Sequence, residues 1–218
     1  MTFFTEAQIA LQRRFDSTRL AQVTEDKVID DRISDKWRLF IEARDMLFMS
    51  SVDDQGRPAC SYKGGPTGFV TVHSAQHVAF PLYDGNGLFI SAGNLNQTGK
   101  IELLFIDFEE PLRLRVGGSA SVLEPLPDEI QRYPECKLMV HVAVQYVYVN
   151  CKRYVHPMRR VETSEFVPVA GRDTPVAAWK LLPYVVDHLP QADLAEIERR
   201  RRIGAPLPAP AGQPEKSR

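Results

Sequence analysis

No one sign of charge dominates this chain: 27 basic and 28 acidic side chains leave a formal net charge of −1. The weak long-range field that follows gives no reason to expect nucleic acid or an anionic membrane as a partner. No apolar run approaches ~20 residues, which excludes a helical membrane span. Cysteine is scarce: Cys60, Cys136 and Cys151 are odd in number and scattered, so no disulfide framework is expected and a reducing cytoplasm is the simpler setting. The opening residues MTFFTEAQIALQRRFD mix charge into apolar positions and do not read as a secretory signal. The five histidines (His73, His77, His141, His156 and His188) form no metal-ligand spacing with one another or with the cysteines, so no metal site is expected. A G-x-S-x-G elbow is also missing, which argues against an α/β-hydrolase. The run Arg199–Arg202 sits beside Glu196 and Glu198 and reads as the solvated face of a helix.

What is present is enough for one domain with a substantial core: 218 residues, 44% of them hydrophobic. Thr5–Phe15 reads as a helix capped by Thr5, and Asp35–Arg44 as an amphipathic helix with Trp37, Phe40 and Ile41 on one face. Asp26–Ile33 gives mixed signals. Met46–Val52 and Pro58–Tyr62 are strands joined by the turn Asp53-Asp54-Gln55-Gly56. Phe69–Val72 and Val78–Leu82 follow as strands around a turn at His73–His77. Further on, Pro125, Pro127 and Pro134 mark a loop, and Leu138–Val149 is the clearest strand in the chain. Asp173–Leu182 and Ala192–Ile203 read as helices. The expected layout is a single domain over 1–205, with helices in 1–45 and 173–204, and a disordered tail over 206–218.

The chain is organised around Tyr83–Gly118. A turn rich in Gly and Asn leads to the short apolar run Leu88–Ala92. A second polar turn, Gly93–Lys100, precedes the apolar run Ile101–Phe108 and the alternating strand Leu112–Val116, which continues through Ala120–Leu123 beyond a Gly117-Gly118 bulge or bend. Strands spaced by small-residue turns predict an antiparallel sheet. Backbone N–H groups of the turns at 84–87 and 93–99 could converge on an anion such as a phosphate.

The pattern DGNG, LFIS, GNL, IELLFIDF and RLRVGG, with SYKGGPTGFV at Ser61–Val70 and VNCKRY ending at Tyr154, resembles the pyridoxamine 5′-phosphate oxidase-like flavoproteins. The resemblance covers roughly Trp37 to Tyr154. It implies a six-stranded antiparallel split β-barrel with flanking helices, a homodimer, and FMN in a cleft between subunits. The implied activity is hydride transfer between FMN and a small molecule, with no catalytic side chain identified. A non-catalytic binder of flavin, F420 or haem on the same barrel is the alternative, and haem would need an axial ligand such as His141 or His156.

Residue by residue, the resemblance places Ser61, Tyr62, Lys63 and Gly64 along the flavin, with Lys63 near the ring or phosphate. Phe80 and Pro81 fall at the ring edge, although core packing is the stronger reading for Phe80. Pro81 cannot donate to a ladder and marks a point where pairing stops. Asp84, Asn86, Gly87, Ser91, Asn94 and Leu95 form the phosphate-site candidate. Here the chain departs from the oxidase proper, which has an Arg-Lys pair: it carries Asn86, Gly87 and Leu88, with no basic residue until Lys100. Lys63 or Arg153 would have to supply the cation, and vitamin B6 oxidase activity is not expected. Arg113 shares a strand face with Arg115 and aligns with a flavin contact. Arg153 is the anion clamp that approaches from the partner subunit, and Cys151 reads as a small buried packing residue.

Overall fold

The computed structural model describes residues 2–209, so the tail expected over 206–218 lies, from 210 on, outside the described residues. These residues fall into two compact units, Met1–Val161 and Glu162–Arg218. No helix among them is long and apolar enough to cross a membrane.

In the first unit, α1 (Glu6–Arg14) starts at Thr5, whose side chain accepts from the backbone N of Gln8 while Gln8 bonds back to Thr5. A second helix, α2 (Thr18–Lys27), follows, with its apolar Leu20 and Val23 exposed. Neither helix buries a residue. Phe3 instead anchors the N-terminus, edge-on to Tyr146 and Tyr148. Helix α3 (Asp35–Glu42) is capped by Ser34 and buries Ile41 completely, with Trp37 and Phe40 packed on the same core.

The sheet has seven strands: β1 (Met46–Val52), β2 (Pro58–Gly64), β3 (Thr71–Ser74), β4 (His77–Leu82), β5 (Lys100–Asp107), β6 (Leu112–Leu123) and β7 (Leu138–Asn150). Every pairing is antiparallel, in the order β2-β1-β5-β6-β7-β4-β3. The expected six strands are therefore seven, a difference the split barrel accommodates. Inward positions alternate as period two requires: Leu47 and Met49 on β1, Leu103 and Phe105 on β5, Leu114 and Val116 on β6, all fully buried. One apolar cluster joins these strands to β3, β4, β7 and α3, a smaller one gathers Ala79, Tyr133 and Met139, and the strand order leaves β2 and β3 as the two edges.

The bulge expected at Gly117-Gly118 is present. These consecutive residues face Tyr146 and Val144, leaving Gln145 as the extra residue on β7. A Cβ on Gly118 would lie 2.1 Å from the carbonyl oxygen of Ala143, so the close approach of two backbones requires glycine there.

Three local expectations are corrected. The Leu88–Ala92 run and the Gly93–Lys100 turn are in fact a helix, α4 (Ile90–Thr98), which buries Ala92 and Leu95 three residues apart and ends on left-handed Gly99. The Pro125–Pro134 loop contains α5 (Pro127–Arg132), because proline at the first helical position loses no intrahelical bond. Of Asp173–Leu182, only Ala178–Leu181 is helical, as a 3₁₀ turn. Pro175 and Pro183 leave too few residues between them for a stable α-helix. This last element belongs to the second unit, where α6 (Gln191–Ile203) packs Ile197 with Val176 and Leu189.

Candidate functional site

Between the edge strand β2 and the end of β4 lies a cleft of about 530 Å³. One wall is β2 from Ala59 to Gly64. The other is the run Pro81–Gly87 with Lys137 and Leu138, and the start of α4 (Phe89–Ala92) completes the lining. Its position follows from the ladder. Strand β3 pairs with β4 only as far as Ala79, so the stretch from Phe80 to Leu82 has β7 on one side and no strand on the other. Pro81 thus stands where pairing stops, as its missing N–H predicts.

At the centre of the cleft, Ser61 Oγ and Ser91 Oγ are 3.1 Å apart, and Lys63 Nζ donates to Ser91 Oγ at 3.4 Å. No carboxylate pairs with Lys63 among the described residues. Burial without a counter-charge holds its amine below the usual lysine range. Ser91 lies in the first turn of α4, where backbone N–H groups lack helical partners and favour an anion. Where two polar turns were expected, the structure has one, at 84–87, followed by a helix N-terminus. Within the turn, Leu88 N donates to Asn86 Oδ1 at 3.1 Å, and Gly87 takes φ +73°, which favours glycine.

Nine of the residues singled out from the sequence line this cleft: Ser61, Tyr62, Lys63, Gly64, Pro81, Asp84, Asn86, Gly87 and Ser91. Five do not. Phe80 is fully buried in the core, and Leu95 is buried on the core side of α4. Asn94 turns inward and donates to buried Ser51 Oγ at 3.1 Å. Arg113 donates to the carbonyl oxygen of Cys151, and Arg153 Nε donates to Cys151 Sγ at 3.3 Å. Cys151 is exposed, not buried, and its thiol is held below the usual range by the Arg153 bonds. Arg115 pairs with Glu102, to which Tyr146 also donates, at 2.9 Å.

Sequence reasoning missed Lys137, Tyr83 and Phe89. Lys137 matters most, because it adds a second cation to the cleft beside Lys63. It arrives through the pairing of Leu82 with Leu138 and through Lys137 N donating to Leu82 O at 2.9 Å. Only knowledge of which strand pairs with β4 would have found it. Tyr83 packs on Tyr133 and Cys136. Its hydroxyl is buried with no hydrogen-bond partner among the described residues, and burial drives its ionisation far above the usual tyrosine range.

Away from the cleft, His77 Nε2 and His141 Nδ1 are 3.1 Å apart, His73 stacks on His77 at 4.9 Å, and Glu129 Oε1 lies 3.7 Å from His141 Nε2. No group of three such side chains among the described residues could hold a metal ion.

A family model described as pyridoxamine 5′-phosphate oxidase matches residues 33–155, more than half of the chain. Comparison with curated proteins finds no match. Among solved structures, HupZ from Group A Streptococcus is similar at TM-score 0.44 and 19% identity, over 54% of this chain and 93% of that one. A protein described as a putative pyridoxamine 5′-phosphate oxidase from Lactobacillus delbrueckii follows at TM-score 0.43 and 18% identity, over 55% and 95%. HutZ, the heme storage protein of Vibrio cholerae, is similar at TM-score 0.40 and 19% identity, over 54% and 94%.

Proposed function

We propose, for a chain that belongs to the pyridoxamine 5′-phosphate oxidase family, that the cleft between β2 and β4 binds FMN. On this reading the protein is an FMN-dependent oxidoreductase acting on a small molecule. The observation that carries the proposal is the convergence of Ser61, Lys63, Ser91 and the 84–87 turn on one cavity. At about 530 Å³ the cavity is within the roughly 300–1,000 Å³ of small-molecule sites. The donor set also fits a phosphorylated ring: two hydroxyls, a helix N-terminus and two lysines, with apolar Leu82, Phe89 and Ile90 around them.

In this assignment the N-terminus of α4, with Ser61 and Ser91, would hold the phosphate, and Asn86 and Gly87 would close the turn over it. Lys63 stabilises negative charge in the bound group. Its lack of a paired carboxylate leaves the amine available for that role. When bound, FMN supplies the two-electron hydride chemistry, so the chain need not carry an acid–base pair of its own. Arg113 and Arg153 lie outside the cleft of their own subunit. Arg153 serves the site from the partner in a homodimer whose cofactors would sit between subunits. Vitamin B6 phosphate oxidation is not the proposed reaction, since two lysines and no arginine line the cleft. Haem is disfavoured there too, because neither His141 nor His156 lines it.

The test is the absorbance spectrum and mass of the small molecule that copurifies, followed by titration of the apoprotein with FMN. Flavin bands, a rise in melting temperature on binding and substrate-dependent bleaching are expected. No flavin uptake and no thermal shift would refute the proposal.

A further inference from the structure

Leu88, Phe89 and Ile90 are 65%, 60% and 55% exposed. Single apolar side chains in solvent are ordinary, but three in succession at the mouth of a cleft mark a place where something apolar is covered. Of the three, Phe89 and Ile90 line the cavity, and Phe89 brings an exposed ring to it.

The backbone at Phe89 adds a second observation. With φ 49° and ψ 24° it occupies the left-handed region, which a Cβ disfavours. It is also the N-cap of α4 and makes no side-chain cap, although Ser, Asp or Asn would supply one there and Asn or Gly would tolerate the conformation better. Phenylalanine serves the helix poorly, so what retains it must be a contact of its side chain. Across the cavity, β2 contributes a second exposed ring: Tyr62, 61% exposed, lies against Gly64, where a Cβ would meet the ring at 2.9 Å. The loop before Phe89 is open at its glycines, since added Cβ atoms at Gly85 and Gly87 would meet nothing within 4 Å.

We propose that Phe89 is the ring-covering residue of this cleft, closing over one face of a flat aromatic ligand and selecting for such ligands over aliphatic phosphates. This deepens the flavin assignment and rests on it. Offset stacking on an aromatic face adds binding beyond the area buried and tolerates differences in ring chemistry.

Three variants test the proposal by FMN titration and by melting of the apoprotein. Phe89→Gly relieves the left-handed strain, so the apoprotein should melt at the same or a higher temperature, while FMN binding weakens roughly tenfold or more. Phe89→Trp should keep the affinity and quench the emission of bound flavin below that of the wild type. Leu20→Ala, on exposed α2 and outside the lining, should change neither. If the wild type binds FMN and Phe89→Gly binds it equally well, or if Phe89→Trp leaves the emission unchanged, the assignment of Phe89 is overturned and the cofactor reading stands. A wild type that takes up no FMN overturns both.

Discussion

Replacing Lys63 with methionine should separate the cost of this side chain to the fold from its value to the ligand. The amine is partly buried between β2 and α4, and its one polar contact among the described residues is Ser91 Oγ at 3.4 Å. At that length the bond is at the weak end of the hydrogen-bond range, so its loss costs the fold little. Burial holds the amine below its ordinary 10.5, so the folded chain binds this proton less tightly than the unfolded chain does. The group's contribution to stability therefore improves as the pH rises toward 10.5 and is a penalty at pH 7. Lys63→Met should leave the apoprotein as stable at pH 7 or more so, and flatten the rise of its stability as the pH approaches 10.5. Toward an anionic ligand the sign reverses. A hydrogen bond to a charged group contributes about 1.5–3 kcal/mol, which predicts a Kd for FMN about ten- to a hundredfold weaker. Chemical denaturation across pH, with flavin titration at pH 7, reads both halves. Unchanged affinity, or a loss of apoprotein stability by several kcal/mol as at a core position, would refute the reasoning.

The histidine stack should make the fold acid-sensitive. Burial first, and the neighbouring His73 second, hold His77 below its ordinary 6.5, so its contribution is intact at pH 7.5 and is lost as the pH falls through about 6.5. His77→Gln, which cannot take up the proton, should reduce the fall in melting temperature between pH 7.5 and 5.5. An unaltered pH profile would show that the stack does not titrate with folding. At the bulge, Gly118→Ala brings a Cβ to 2.1 Å from backbone, where no side chain can give way, and should cost about 1–3 kcal/mol or more in urea unfolding. A neutral result there would mean that β6 and β7 shift apart freely.

The barrel was legible wherever its signals were local. Apolar runs announced β1 and β5, period-two alternation announced β6, the β-branched run announced β7, and paired glycines announced the bulge. Helix α2 was missed for the complementary reason. Its apolar pair, Leu20 and Val23, spans a single turn and is exposed, too little to set the helix apart, and the tie of Asp30 to Val147 that follows it is long-range. Helix α5 was hidden by prolines counted as breakers, although Pro127 occupies the one helical turn where proline is at home. In the site, the residues on β2 and in the 84–87 turn were found because glycine and a strand-end lysine are visible one at a time. Lys137 was not, because it reaches the cleft only through the pairing of β4 with β7.

The sharpest divergence is at 90–98, and one substitution decides it. As a polar turn, GNLNQTG uses Gly93 for backbone freedom, and alanine there would be neutral or harmful. As helix α4, the same segment places Gly93 in a helix interior, where a Cβ would meet nothing within 4 Å. The signals for the helix were present: Ala92 and Leu95 at a spacing of three, and Gly99 in the left-handed C-terminal position with its N–H on Leu95 O at 2.8 Å. In the helical case Gly93→Ala removes the conformational freedom of the unfolded chain and strains nothing, so it should stabilise the protein by about 0.5–1 kcal/mol. A urea midpoint that rises with an unchanged slope supports the helix. A midpoint that falls would return the segment to a turn and, with it, remove the helix N-terminus from the proposed phosphate site.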